Sequence, residues 1–137
     1  MSVGRILLID DDEQFRRLVT VMLTTAGYDV DEASNGIGGL ASYRQQRPDV
    51  ILMDILMPEK EGLETIQELM LADPQVRIIA MSVSGEERSG YLDIALHLGA
   101  LRILHKPFSR DELLLAVTDV IAAQETTTRR SPSSWSS

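Results

Sequence analysis

The chain has 137 residues, a formal net charge of -8, 44% apolar residues and no cysteine. That length suits one domain with a real core. The acidic balance disfavours direct binding to nucleic-acid phosphates, and the lack of cysteine excludes a disulfide framework and a thiolate zinc site.

The first predicted element is a strand over residues 5–9. Its apolar run, Ile6-Leu7-Leu8-Ile9, is too short for a signal-peptide core and meets acids at once in Asp10-Asp11-Asp12-Glu13. A helix follows over residues 13–26, with Phe15, Leu18, Val19, Met22 and Leu23 at helical spacing and Gly27 as its stop. Residues 28–32 are more polar and predict an edge strand. A weaker helix over 36–46 ends before Pro48. Its start, Gly36-Ile37-Gly38-Gly39-Leu40-Ala41, formally matches a dinucleotide fingerprint, but it follows the second strand, and a glycine-rich helix start explains it.

Residues 50–53 predict a buried strand that ends at Asp54. Residues 62–72 predict a helix with Leu63, Ile66, Leu69 and Met70 in one stripe. Strands over 76–81 and 101–104 flank a helix over 86–98 that stops at Gly99. The first of these two strands leads into Ser82 and the second into His105-Lys106-Pro107. Ser109 and Glu112 form a capping-box pattern before a last helix over 110–123. Residues 1–123 are read as one domain, and the polar, Ser/Thr-rich residues 124–137 as a disordered tail or the start of a linker. No run approaches the roughly 20 apolar residues of a membrane helix, so a cytoplasmic protein is expected.

Strands with continuous apolar runs suggest a parallel sheet covered on both faces. Five strand–helix repeats with right-handed crossovers give a doubly wound α/β fold, whose sites lie at the carboxyl ends of the strands. Those ends carry Asp10, Asp11, Asp54, Ser82 and Lys106. Carboxylates that converge there repel; at 4 Å the cost is roughly 4 kcal/mol at an effective dielectric near 20. A divalent cation relieves it, and an all-oxygen site with room for water suits Mg²⁺. A metal, a carboxylate nucleophile, a lysine and a hydroxyl together make a phosphoryl-transfer site. Asp12 or Glu13 could instead serve only as a helix cap. Asp54 interrupts an apolar run, where an unpaired charge is costly. His97 and His105 are each lone and read as a helix surface and a site rim.

These residues resemble the receiver domains of two-component response regulators. The resemblance rests on Ile6-Leu7-Leu8-Ile9-Asp10-Asp11, on Pro48-Asp49-Val50-Ile51-Leu52-Met53-Asp54-Ile55-Leu56-Met57-Pro58 with Gly62, on Ile78 to Ser82, on Leu98-Gly99-Ala100 and on Lys106-Pro107-Phe108. It implies a five-stranded flavodoxin-like sheet in the order 2-1-3-4-5. Asp54 would take the phosphoryl group from a histidine kinase or a phosphotransfer protein. Asp11 and Asp54 would bind Mg²⁺ directly, Asp10 mainly through water, and the backbone carbonyl of Leu56 would complete the protein ligands. Lys106 would pair with the phosphate, Ser82 would be the switch hydroxyl, and the bond before Pro107 would be cis. The spacing back from Arg16 selects Asp10 and Asp11 as the acid pair and leaves Asp12 as a spectator or cap. The readout face would be the fourth helix, fifth strand and fifth helix, which is also the natural homodimer surface; an output protein or output domain would read it. The domain itself would touch neither nucleic acid nor membrane.

Two departures stand out. Ile103 occupies a position where the family often has an aromatic residue, so the readout is expected to lean on loop and helix movement. The segment from Ser82 to Lys106 is also slightly long, with the excess in residues 84–90. Apolar Leu56, which with Ser84 flanks the expected path of the attacking water, is expected to slow hydrolysis. Leu56 also argues against a phosphohydrolase that uses an aspartyl phosphate, because the second acid is missing. Intact Asp54, Ser82 and Lys106 disfavour a degenerate receiver that only binds. No enzymatic turnover is expected beyond the domain's own phosphorylation and dephosphorylation.

Overall fold

A computed structural model describes residues 2–55, 62–83 and 89–129; side chains are described for these except 83, 89–92 and 124–129. The elements alternate without exception: β1 (Arg5–Ile9), α1 (Glu13–Thr25), β2 (Asp29–Ala33), α2 (Gly36–Gln45), β3 (Val50–Asp54), α3 (Gly62–Ala72), β4 (Ile78–Val83), α4 (Ser89–Leu98), β5 (Arg102–Lys106) and α5 (Arg110–Arg129). The strands form one sheet in the order β2-β1-β3-β4-β5, and every pairing is parallel. The strand order and the strand–helix alternation are those expected from the sequence. β2 is indeed an edge, and its burial is partial, whereas every residue of β3 is buried.

The period of two along each strand sorts the core into two layers. Leu7, Ile9, Ile51, Met53, Ile78 and Ala80 point to α2, α3 and α4, where they meet Leu40, Tyr43, Ile66, Leu69 and Ala95. Ile6, Leu8, Val50, Leu52, Ile79 and Met81 point to α1 and α5, where they meet Val19, Leu23, Leu113 and Val117. A fully buried Leu or Ile contributes about 1.5–3 kcal/mol relative to exposure. The central strands, buried on both faces, therefore hold most of the apolar driving force. Not every residue of the predicted α1 stripe joins it: Leu18 is 53% exposed.

Local chemistry sets the helix ends. Asp12 caps α1 by accepting from the Phe15 amide at 3.1 Å. Gly27, at φ +102°, and Gly99, at φ +130°, take the left-handed turn after α1 and α4. The Ser109–Glu112 capping box forms in both directions, each bond at 3.0 Å. In the glycine-rich start of α2, Asn35 caps Gly38, and a side chain at Gly39 would collide with Ile9 of β1. Close packing on the sheet accounts for that glycine, as the simpler sequence reading expected.

Three element bounds need correction: β4 (Ile78–Val83) and β5 (Arg102–Lys106) run later than expected, so Ser82 and Lys106 lie within them, and α5 runs further. The last helix does not stop at residue 123 but continues to Arg129. Residues 124–129 hold no glycine or proline, so nothing in the backbone ends the helix, and the Thr-rich composition that suggested a tail is not a helix breaker. The remainder of the expected tail, residues 130–137, lies outside the described residues, as do Leu56, Met57, Pro58 and most of the expected insertion at 84–90. Among the described residues, no helix is long and apolar enough to cross a membrane.

Candidate phosphoryl-transfer site

Strand register brings the acids together. Ile9 is paired with Met53 across β1 and β3, so the next residues, Asp10 and Asp54, leave the sheet side by side. This is where the chain reverses direction across the sheet: β1 is flanked by β2 on one side and β3 on the other. β4 and β5 continue the row, with Asp54 opposite Met81 and Ser82 opposite His105.

Asp10 is fully buried, and Asp54 and Ser82 are nearly so. Oxygens of Asp10, Asp11 and Asp54 lie within 4.8 Å of one another. Asp11 is the exposed member of the three. Asp12 is turned away to cap α1, as one of the two sequence readings of that residue expected. Its own amide donates to Asp10 Oδ1 at 2.9 Å, and Arg16 Nη1 donates to the Asp10 carbonyl at 2.8 Å. Arg16 is anchored in turn by Glu32 at 3.0 Å. These bonds fix the loop that carries the acids.

Lys106 enters from β5. Its Nζ lies 2.6 Å from Asp10 Oδ2 and 3.6 Å from Asp54 Oδ2. One ammonium thus spans two carboxylates, and all three side chains are largely buried, where Coulomb attraction is weakly screened. The Lys106–Pro107 peptide is cis. Ser82 Oγ is buried and has no hydrogen-bond partner among the described residues. A buried hydroxyl without a partner carries a desolvation cost of about 1–3 kcal/mol. It is a donor waiting for an acceptor.

Three carboxylates with all-oxygen donor atoms in one pocket fit a hard divalent cation. Beside them sit a lysine and an unpartnered hydroxyl, which fit the oxygens of a transferred phosphoryl group. Leu56, whose carbonyl was expected to complete the metal ligands, lies outside the described residues. Ile103 is partly buried and packs against the layer under α2, α3 and α4. His105, on the rim, is exposed.

Two contributors were missed in the sequence. Phe15 was read as a stripe residue of α1, yet Lys106 Nζ lies 4.2 Å from its ring centroid. Phe108 packs its ring against Phe15 edge to face, with centroids 5.5 Å apart and planes at 82°. The sequence signal was present in the aromatic residues shortly after Asp10 and Lys106, but only the fold puts them in contact.

Comparison with known proteins bears on the family and the fold. Residues 6–118 match the response regulator receiver domain family. The chemotaxis protein CheY of Thermotoga maritima is 35% identical over 117 residues, covering 85% of this chain and 96% of that protein. Among solved structures, a CheY-like response regulator receiver domain protein from Methanospirillum hungatei superposes with a TM-score of 0.85 at 26% identity, covering 92% of this chain and 99% of the other. CheY in a CheX-CheY-BeF3-Mg²⁺ complex from Borrelia burgdorferi superposes with a TM-score of 0.78 at 26% identity, covering 85% and 87%.

Proposed function

Because this chain belongs to the response regulator receiver domain family, a family of phospho-acceptor signalling switches, we propose that Asp54 is the residue that takes the phosphoryl group. The observation that carries this is its setting: a buried carboxylate at the end of β3, grouped with Asp10 and Asp11 and 3.6 Å from the Lys106 ammonium.

The donor is a phosphohistidine on a sensor kinase or a phosphotransfer protein. An Asp54 carboxylate oxygen attacks phosphorus. The O–P bond forms as the P–N bond breaks, and the imidazole nitrogen leaves with the electron pair and takes up a proton. Asp10, Asp11 and Asp54 would hold Mg²⁺. When bound, the ion offsets the carboxylate repulsion and the negative charge on the transferring group. The composition of the Borrelia complex, a beryllofluoride and Mg²⁺ on a related fold, supports this choice of ion.

Lys106 gives up part of its hold on Asp10 and donates to a phosphoryl oxygen. Ser82 donates its unpartnered hydroxyl to another, which removes a desolvation cost present before phosphorylation. That gain favours the conformation in which the buried Ser82 hydroxyl turns towards the phosphoryl group. The outcome is a population shift read at the face of α4, β5 and α5 by an output protein or an output domain. The domain works in the cytoplasm and turns over no substrate beyond its own phosphorylation and dephosphorylation.

Incubation with acetyl phosphate and Mg²⁺ followed by intact mass measurement tests the reading. The wild type gains one phosphoryl mass and Asp54→Asn gains none. No gain in the wild type, or an equal gain in Asp54→Asn, overturns it.

A further inference from the structure

We propose that Phe15 is a positioning residue for Lys106, with Phe108 as its brace. This rests on the reading of Lys106 as the cation that meets the phosphoryl group. Phe15 packs against the same apolar layer as Val19 and Leu23, but those two are fully buried in it. Phe15 is only half-buried, and the ammonium of Lys106 lies 4.2 Å from its ring centroid. A cation within about 6 Å of a ring centroid and over its face is attracted by the ring quadrupole.

The three groups around Lys106 divide the work. Asp10, at 2.6 Å, and Asp54, at 3.6 Å, draw the ammonium by charge. The ring offers an attraction that does not vanish when the carboxylates are occupied elsewhere. A lysine has a flexible four-carbon stem and hydrates strongly. Without the ring, an ammonium released by Asp10 would turn to water. With it, the ammonium shifts from Asp10 towards Asp54 while one side stays covered, and its field at the acceptor stays poorly screened.

The ring itself is held from two directions. Asp12 accepts from the Phe15 amide at 3.1 Å, which fixes the first turn of α1. Phe108 meets the ring edge to face, and it lies just beyond Lys106 in the chain. The same short segment thus supplies the cation and the brace of the surface on which the cation rests. Asp10, Asp12 and Phe15 together make the start of α1 one device: a partner for the lysine, a cap and a platform.

The sequence makes a direct test simple, because Lys60 and Lys106 are its only lysines. With ¹³C-labelled lysine, two ε-methylene signals are expected, assigned with Lys60→Arg. Ring current shifts the Lys106 signal upfield of the value for lysine in an unstructured peptide. Phe15→Leu abolishes the shift, and Phe15→Tyr, which keeps the ring face, retains it. In the acetyl phosphate assay Phe15→Leu is phosphorylated about five-fold more slowly, and Phe15→Tyr reacts at the wild-type rate. In a Lys106→Ala background, Phe15→Leu causes no further slowing, because the interaction it removes is already gone. An unshifted Lys106 signal in wild type overturns the proposal, as does slowing by Phe15→Leu that persists undiminished without Lys106. A wild type that shows the upfield signal but gains no phosphoryl mass sinks the acceptor reading, and it reduces Phe15 to a structural contact.

Discussion

At the scale of single residues, the site exchanges stability for readiness. Asp10 has no exposed surface, and its nearest cation is Lys106 at 2.6 Å. Removing one partner of a buried pair leaves a charge with neither water nor counterion, which costs about 3 kcal/mol. Lys106→Ala, measured by urea unfolding in the presence of a chelator, is therefore expected to lose roughly that much stability. An unchanged unfolding midpoint would mean that the Asp12 amide and the loop around it satisfy Asp10 without the lysine. Ser82 is the reverse case, since its hydroxyl has lost water and gained nothing within the described residues. Asp54, Ser82 and Lys106 were legible in the sequence because each follows an apolar strand and is polar where the strand pattern predicts burial. Phe15 was not, because a Phe at helical spacing looks the same whether its face meets a methyl group or an ammonium.

At the scale of elements, the site depends on how closely α3 approaches the end of β3. A Cβ added at Gly62 would meet the backbone carbonyl oxygen of Asp54 and the Ile55 Cα. Backbone cannot rotate away, so the helix or the strand end must move. At Gly39 the added Cβ would meet the Ile9 side chain, whose far end can turn aside. Overpacking costs typically 1–3 kcal/mol, and Gly62→Ala is expected near or above the top of that range, with Gly39→Ala near the bottom. Gly62→Ala is also expected to slow phosphorylation from acetyl phosphate, since the displaced backbone belongs to Asp54 itself. Equal unfolding midpoints for the two variants would refute the distinction. Element order and most helix ends could be read directly, because caps such as Asp12 and Ser109 and stops such as Gly27 and Gly99 act within one turn. The end of α5 could not. It carries no such local stop before residue 129, and composition alone is a poor guide to where a helix frays.

At the scale of the whole molecule, the two ends of the sheet do different work. The carboxyl ends hold the acids and the lysine. Near the amino ends, Tyr43 at the close of α2 donates to Asp73 beyond α3 at 2.5 Å, and Arg47 lies 3.6 Å from the same carboxylate. This joins two helices through residues 30 positions apart, a contact no local pattern announces. Burial first, then the hydrogen bond to Asp73, push the Tyr43 hydroxyl up from 10.0 to about 12. For Asp73 the bond to Tyr43 is the main cause, and it holds the carboxyl below 3.8. The signs follow. Tyr43 has a raised value when folded, so its contribution is complete below pH 10 and is lost as pH rises through about 12. Asp73 has a depressed value, so its contribution is present above pH 3.8 and is lost as pH falls through its folded value. Both are intact at neutral pH. Tyr43→Phe removes a hydrogen bond to a charged acceptor and is expected to cost about 1.5 kcal/mol there. Its stability should also fall less steeply than that of the wild type at the alkaline end, because the tyrosine that ionises on unfolding is gone. Urea midpoints across the pH range, with tyrosinate absorbance followed in parallel, read both effects. A variant whose alkaline limb runs parallel to the wild type would show that this tyrosine is not the group being titrated. Phosphorylation of the variant should be unimpaired, since the contact lies at the end of the sheet away from Asp54.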